Sequence, residues 1–445
     1  MTCKSLAASL ACALALAAPL AAPPAHAGDA PDRAALVAKM ADAVSPVAWP
    51  DPLVTLDGTP VRDVATFEGK RRPEIVALFE REMYGRTPKG TVEMTVDRTA
   101  DAAALDGLAI RREVVLRFKA NGIERDVPVL IYLPADAKGP VPVIVGLNFF
   151  GNAAVANDPG ATLTPVWVPD PALKGTPIAN ELAGHVRVPG TEEMRGKETM
   201  WWDVPQIVKA GYALATAYAG DFEPDFAAGI GYGARPLFID PASMLVDSDG
   251  WGALGAWGWG MSRILDYAAT DPDLDETRAV AYGFSRMGKA GLWAAAQDPR
   301  FALVISSESG QGGATLSHRE VDEPIAHMNI AFPYWMSARY HRYTDNPQDL
   351  PVDGHLLLSL IAPRPLYVGS TAEDPYSDPL GEFLSARAVT PVYALYGLTG
   401  IGTDDLPELG TSIGEQVGYH IREGGHATTP FDWTQYLAFA DRHLK

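Results

Sequence analysis

Hydrophobic and polar positions along this 445-residue chain switch repeatedly between two periods. Positions 112–118 and 126–134 alternate or run apolar at strand spacing, and Asn121-Gly122 between them signals a tight hairpin turn. Val141 to Asn148 is nearly all apolar, as a strand covered on both faces of a parallel sheet must be. Further strands are predicted at 212–218, 279–283, 301–306, 364–370 and 390–396. Helical spacing fills the intervals, at 34–43, 72–84, 201–210, 251–269, in the Ala-rich run after Ser285, and at 432–443. Strands too apolar to have a wet face, alternating with helices, predict an α/β chain with a helix-flanked parallel sheet and antiparallel strands at one edge. Two stretches, 155–200 and 220–250, have little periodicity and many Pro, Gly and Asn residues. The first is too long for a mere connection and reads as an inserted loop at the rim of a site.

The N-terminus changes this picture. Lys4 precedes an almost wholly Ala/Leu run from Leu6 to Ala22, and Ala25-His26-Ala27 offers a cleavage site, so residues 1–27 read as an export signal. The run is too short and Ala-rich for a membrane anchor. With no internal repeat and no low-complexity linker, residues 28–445 read as one domain with an N-terminal extension to about 105. The two cysteines, Cys3 and Cys12, both fall in the leader. The mature chain therefore has no disulfide, no thiolate nucleophile and no Cys-based metal site. A net charge of −19 argues against nucleic acid or an anionic membrane as partner.

Candidate chemistry concentrates at Gly283-Phe284-Ser285-Arg286-Met287-Gly288-Lys289. A strand ends at Gly283 and a helical run begins after Ser285. This is a strand–turn–helix elbow that exposes a serine hydroxyl at the top of a sheet, with an ordinary helix-capping serine as the alternative. A serine needs a base to take its proton, usually a histidine oriented by a carboxylate, and in this fold the order is serine, acid, histidine. His426, in Glu423-Gly424-Gly425-His426-Ala427, lies in a Gly-rich loop before the last helix and fits the base. The acid has two positions: Asp374 (with Glu373 beside it) after the 364–370 strand, and Glu308 after the 301–306 strand. Arg286 brings a backbone N–H and a guanidinium to an oxyanion, and Lys289 shares the helix face of Ser285. The chain contains no H-E-x-x-H, no Walker A and no dinucleotide fingerprint.

From about 110 to 443 the chain resembles the glucuronoyl esterases, carbohydrate esterase family 15, and their bacterial branch in particular. The elbow is similar to that family's G-x-S-R-x-G-K, and Gly146-Leu147-Asn148-Phe149-Phe150-Gly151-Asn152 to its strand–loop motif. Segments 220–226, 309–314, 332–335 and 350–355 match as well. The resemblance implies an α/β-hydrolase, a three-layer sandwich with a mostly parallel sheet and large inserted loops. It implies cleavage of the ester between 4-O-methyl-glucuronic acid on xylan and lignin alcohols. Ser285 is then nucleophile, His426 base and Arg286 the oxyanion-stabilising arginine, with a carboxylate at both family acid positions, Glu308 and Asp374. Lys289 and Glu323 are implied to bind sugar hydroxyls, with Trp335 and Tyr376 beside them. Tyr376 stands where the family often has Trp, and Tyr334 where it often has His. The leader points to a periplasmic or secreted location, the acidic charge to no nucleic-acid or membrane partner, and the spacing of the candidate ligands to no metal; the chain is expected to work without a cofactor and as a monomer. Acetyl or feruloyl ester hydrolysis on the same fold is the alternative activity, and a non-catalytic sugar-binding protein the alternative from another class.

Overall fold

The computed structural model describes residues 35, 36, 38, 49–173, 184–239 and 249–445. The leader lies outside these residues, as does most of the 34–43 helix, of which Ala35, Leu36 and Ala38 are helical. In chain order the strands are β1 (Glu93–Arg98), β2 (Ala102–Ala104), β3 (Ala109–Ala120), β4 (Ile123–Pro134), β5 (Val141–Asn148), β6 (Val166–Pro169), β7 (His185–Val188), β8 (Ala213–Tyr218), β9 (Leu274–Phe284), β10 (Phe301–Ser307), β11 (Leu366–Thr371), β12 (Thr411–Ile413) and β13 (Val417–Arg422). The helices used below are α1 (Arg72–Phe79), α2 (Val204–Lys209), α3 (Ala253–Ala268), α4 (Arg286–Gln297), α5 (Pro379–Ala388), α6 (Thr390–Leu395) and α7 (Pro430–Leu444).

Eleven strands form one sheet in the order β1-β3-β4-β8-β5-β9-β10-β11-β13-β12, with β2 paired to β3. The six strands from β8 to β13 are mutually parallel. The β3–β4 hairpin turns at Asn121 and Gly122, with φ of 52° and 73°, which makes the antiparallel edge that the Asn-Gly pair predicts. β6 and β7 form a separate two-stranded pair inside the 155–200 stretch.

Side chains alternate across the central strands and so separate two cores. Val143, Val145, Ala279, Ala281 and Val304 join a cluster with α1, α3, α4, α5 and α6. Ile144, Leu214, Val280, Tyr282 and Ile305 pack on α2 and α7. The result is a helix–sheet–helix sandwich, in which each fully buried Trp or Phe contributes roughly 1.5–3 kcal/mol relative to exposure. The helical stretch from Val64 to Tyr84 is part of this packing: Tyr84 stacks on Trp293 of α4 at 4.6 Å and donates its hydroxyl to the Gly312 carbonyl at 2.6 Å. Among the described residues no helix is long and apolar enough to cross a membrane.

One predicted strand is a helix. Residues 390–396 are rich in β-formers, yet Thr390-Pro391 opens α6, whose Val392 and Tyr393 are buried. Proline fits the first helical turn and lacks the N–H that a central strand needs. The strand that completes the parallel sheet is instead β13, entirely buried but carrying His420 and Arg422. Its polar residues hide it from a hydropathy pattern. Both bond to Asp432 at the start of α7, 2.8 Å from His420 Nε2 and from Arg422 Nε.

The β9–α4 junction depends on Gly283, where an added Cβ would fall 2.0 Å from the Met287 carbonyl oxygen, a backbone atom that has no room to retreat. Gly283→Ala is expected to lower stability by about 2–3 kcal/mol. Gly69→Ala, where an added Cβ meets nothing within 4 Å, is expected to be neutral or slightly stabilising. Thermal melts of the pair check this, and equal midpoints would show that the elbow can relax.

Candidate active site

Ser285 sits directly after β9 with φ 55° and ψ −131°, a conformation costly for a residue with a Cβ. Its N–H donates to the Ser307 carbonyl at the end of β10 (2.9 Å), and its carbonyl accepts from Gly288 N–H (2.8 Å) in the first turn of α4. The strand on one side and the helix on the other thus hold the strained residue. Its Oγ lies 2.9 Å from His426 Nε2. His426 arrives from the Gly424-Gly425 loop after β13, and its Nδ1 lies 2.7 Å from Asp374 Oδ2, in the loop after β11. Glu308, the residue after β10, places Oε2 at 3.3 Å from the same Nδ1. The structure brings together all four residues that the sequence singles out, from the carboxyl ends of neighbouring parallel strands. Glu373, the alternative to Asp374, shows its backbone to the same loop, donating N–H to the Gly424 carbonyl at 3.1 Å.

The two acids differ electrostatically. Burial pushes the Asp374 carboxyl upward, but donation from His426, Ser377 Oγ and the Tyr376 N–H outweighs it and holds the group below its ordinary value. Glu308 is fully enclosed, and burial, helped by the Asp374 charge, pushes it well above the usual carboxylate range despite His426 and Arg422. Burial acts to lower His426, yet its bonds to Asp374 and Glu308 and their charges raise it. Asp374 is the nearer carboxylate, 2.7 Å from Nδ1, and in the neutral ring with Nδ1–H facing it, Nε2 is the acceptor for Ser285 Oγ–H.

On the other side of Ser285, the Arg286 guanidinium donates to Asp225 Oδ2 at 2.6 Å and lies over the rings of Trp335 (4.6 Å), Phe332 (5.3 Å) and Phe149 (5.9 Å). Trp335 stacks on Phe332 at 3.7 Å and donates Nε1–H to Asp225 Oδ1 at 2.8 Å. Lys289, one turn along α4, places Nζ 5.5 Å from the Trp335 ring and 3.8 Å from Glu323 Oε2. Burial lowers the lysine, and the Glu323 charge opposes this. Tyr376 meets the His426 ring edge-on at 5.3 Å. Every sequence-derived site residue thus lies in one constellation: a hydrogen-bonded Ser-His-acid line beside an aromatic-walled patch carrying a guanidinium, an ammonium and a carboxylate.

Comparison with known proteins fits this geometry. The family model for "Glucuronyl esterase, fungi" matches residues 244–397. A curated carbohydrate esterase, MZ0003, from an unknown prokaryotic organism, is 40% identical over 398 residues, 89% of each chain. The solved glucuronoyl esterase from Solibacter usitatus is 42% identical, with a TM-score of 0.83 over 89% of this chain and 98% of that one. A promiscuous CE15 esterase from a marine bacterial metagenome is 38% identical, with a TM-score of 0.79 over 89% and 97%. The chain belongs to carbohydrate esterase family 15, the glucuronoyl esterases.

Within this glucuronoyl-esterase site, three residues escape the reading of the sequence. Asp225 orients Arg286, and its segment 220–226 was visible as a motif without a role. Arg422 donates to the carbonyls of both Glu423 (2.8 Å) and Ala427, bracing the two ends of the histidine loop, and its Nη2 stands 3.8 Å from Glu308 Oε1. Glu198 is the third. Among the described residues, Glu308, Asp374 and His426 are also the one set whose atoms gather as metal ligands do. Two ligands about 2.0–2.2 Å from a tetrahedral ion stand well over 3 Å apart. The 2.7 Å between Nδ1 and Asp374 is instead a hydrogen bond, so the set fits a proton better than an ion.

Unequal acids give unequal variants. Removing a carboxylate beside an imidazolium destabilises the cation, so the His426 pKa falls and the acid limb of kcat/KM moves to lower pH. Asp374→Asn is expected to lower kcat by about 10²–10³-fold and to show the larger displacement. Glu308→Gln, which removes a group already pushed toward its neutral form, is expected to cost about tenfold with a smaller displacement. Profiles in the reverse order would make Glu308 the working acid.

Proposed function

We propose that this chain hydrolyses esters of glucuronic acid, including 4-O-methyl-glucuronic acid on xylan, and releases the alcohol through an acyl-enzyme on Ser285. What carries the reading is the 2.9 Å approach of Ser285 Oγ to His426 Nε2 beside Arg286, in a chain 42% identical to a glucuronoyl esterase. His426 takes the Oγ proton as the oxygen attacks the ester carbonyl, and Asp374 offsets the charge formed on the ring. The oxyanion is stabilised by Arg286, through its backbone N–H at the head of α4 and its guanidinium. Collapse expels the alcohol, which receives the proton from His426. Water activated by the same imidazole then cleaves the acyl-enzyme to give the uronic acid. Lys289 and Glu323 bind ring hydroxyls and Tyr376 walls the sugar, while Trp335, buried against Phe332 and the Arg286 guanidinium, backs that wall.

Cleavage of residues 1–27 and export, with 28–445 working as a monomeric single catalytic domain on lignin–carbohydrate esters, belong to the same proposal. A second reading, broader hydrolysis of acetyl or feruloyl esters, draws on the marine relative, which is described as promiscuous.

Benzyl glucuronate, acetylated xylan and a feruloyl ester separate the two. The glucuronate ester is expected to be the best substrate, with Ser285→Ala lowering kcat by about 10⁴-fold or more and Arg286→Ala by about 10²–10³-fold. Turnover of the acetyl or feruloyl substrates alone would replace the first reading with the second. Undiminished Ser285→Ala activity would overturn both.

A further inference from the structure

The 155–200 stretch delivers a completely enclosed carboxylate to the loop after β5. Glu198 is 0% exposed. Its Oε1 accepts the backbone N–H groups of Phe149 (2.8 Å) and Phe150 (2.6 Å), and its Oε2 accepts Trp202 Nε1–H at 3.0 Å. The hydrogen bonds at this carboxyl thus all come from donors, an arrangement that the ionised form satisfies completely. Burial acts against that form and pushes the group up to about 7. A carboxylate so enclosed needs every one of its hydrogen bonds, and those bonds fix their donors in return.

What it fixes is the loop after β5. In α/β-hydrolases an N–H from the corresponding loop pairs with the N–H after the nucleophile to form the oxyanion hole. Here the first two N–H groups of that loop are turned onto Glu198. The same residue carries the neighbouring aromatic wall. Its carbonyl accepts Trp201 N–H at 2.8 Å, and Trp201 stacks at 5.4 Å on Phe284, whose ring lies 4.7 Å from that of His426. Phe149, held by its N–H, lies against both Trp201 (5.5 Å) and the Arg286 guanidinium (5.9 Å).

We infer that Glu198 is a positioning residue for ester hydrolysis. By holding the Phe149 and Phe150 N–H groups it withdraws the β5 loop from oxyanion binding, leaves that task to Arg286, and sets Phe149 against the guanidinium. This rests on the roles proposed above for Ser285 and Arg286. Glu198 does not touch substrate. Its influence runs through the loop, so it acts on kcat more than on KM.

Benzyl glucuronate kinetics and thermal midpoints for the parent, Ser285→Ala, Glu198→Gln, Arg286→Ala and the Glu198→Gln/Arg286→Ala double variant test this. Glutamine keeps one oxygen for the two N–H groups but sets an amide NH₂ against Trp202 Nε1–H. Glu198→Gln is expected to melt within a few degrees of the parent, lose about tenfold in kcat with KM within about twofold, and lose less than about threefold when Arg286 is already alanine. Amide exchange at Phe149 and Phe150 is expected to accelerate in Glu198→Gln while the β9–β10 amides stay protected, a readout independent of turnover. Parental or increased kcat in Glu198→Gln, an equal loss in both backgrounds, or a rise in KM alone would overturn the inference. Those results with an inactive Ser285→Ala would leave the catalytic reading intact, whereas an active Ser285→Ala would remove the reading itself.

Discussion

The site depends on one backbone device used three times in succession. Ser285 N–H bonds to the Ser307 carbonyl, Glu308 N–H to Gly369, and Ala372 N–H to Arg422. The parallel ladder therefore continues just past or at the ends of β9, β10 and β11, so each loop leaves the sheet in register with the next. Two of the residues that leave in this way, Ser285 and Glu308, are non-glycine residues with positive φ, 55° and 48°. Strain of this kind persists only where surrounding hydrogen bonds over-determine it. The sheet supplies that constraint for Ser285 and Glu308, and loop contacts, Glu373 N–H to the Gly424 carbonyl and Arg422 to the ends of the histidine loop, carry it on to Asp374 and His426.

Electrostatics reinforces a division that geometry begins, with Asp374 at 2.7 Å and Glu308 at 3.3 Å from the same nitrogen. Asp374 sits among donors, including the Tyr376 N–H and Ser377 Oγ, whereas Glu308 is fully enclosed and accepts from the Ala427 N–H. Donors stabilise the first as an anion, and burial drives the second toward its neutral form. A second full anion at 3.3 Å would hold the imidazole in its protonated state and slow its work as a base. Arg422 links this pair to the last helix: Asp432, the capping-box residue of α7, orients the guanidinium that braces the histidine loop. A fold-level element, a helix cap, thus reaches the reacting atoms in two steps.

Much of this was legible in the sequence because it is encoded locally. Strand–turn–helix spacing marks Ser285, an Asn-Gly pair marks the β3–β4 hairpin, and a Gly-rich loop before the last helix marks His426. Misreadings arose where tertiary partners override local composition. The β-branched and aromatic residues of 390–396 gave a strand signal that Pro391 and packing against the core turn into α6. β13 carries His420 and Arg422, whose buried polar groups find their partner only when Asp432 meets them from α7. Glu198 lay in a stretch with no period, and its significance comes from two backbone N–H groups nearly fifty residues away. No spacing rule reveals such a contact, because the carboxylate stands in a turn of its own and serves the path of a different loop.

The arginine shows how a departure at one position can leave the bonding around a charged group whole. Arg286 is gripped at 2.6 Å by Asp225, and a carboxylate that close would swing the guanidinium wherever it moved. Asp225 is itself fixed, because its other oxygen accepts from Trp335 Nε1 and from Tyr334 OH at 2.8 and 2.9 Å. Tyr334 stands where the family often has histidine, and its hydroxyl supplies a donor to Asp225 from that position. With the carboxylate saturated and the guanidinium flanked by Trp335, Phe332 and Phe149, the cation has little rotational freedom left to lose when charge develops on a substrate oxygen. Preorganisation of this kind spares the reorganisation that a mobile cation in water would need at the moment of reaction. An arginine so held is preorganised for the donor role proposed for it, in a site where the first two amides of the β5 loop are bonded to Glu198.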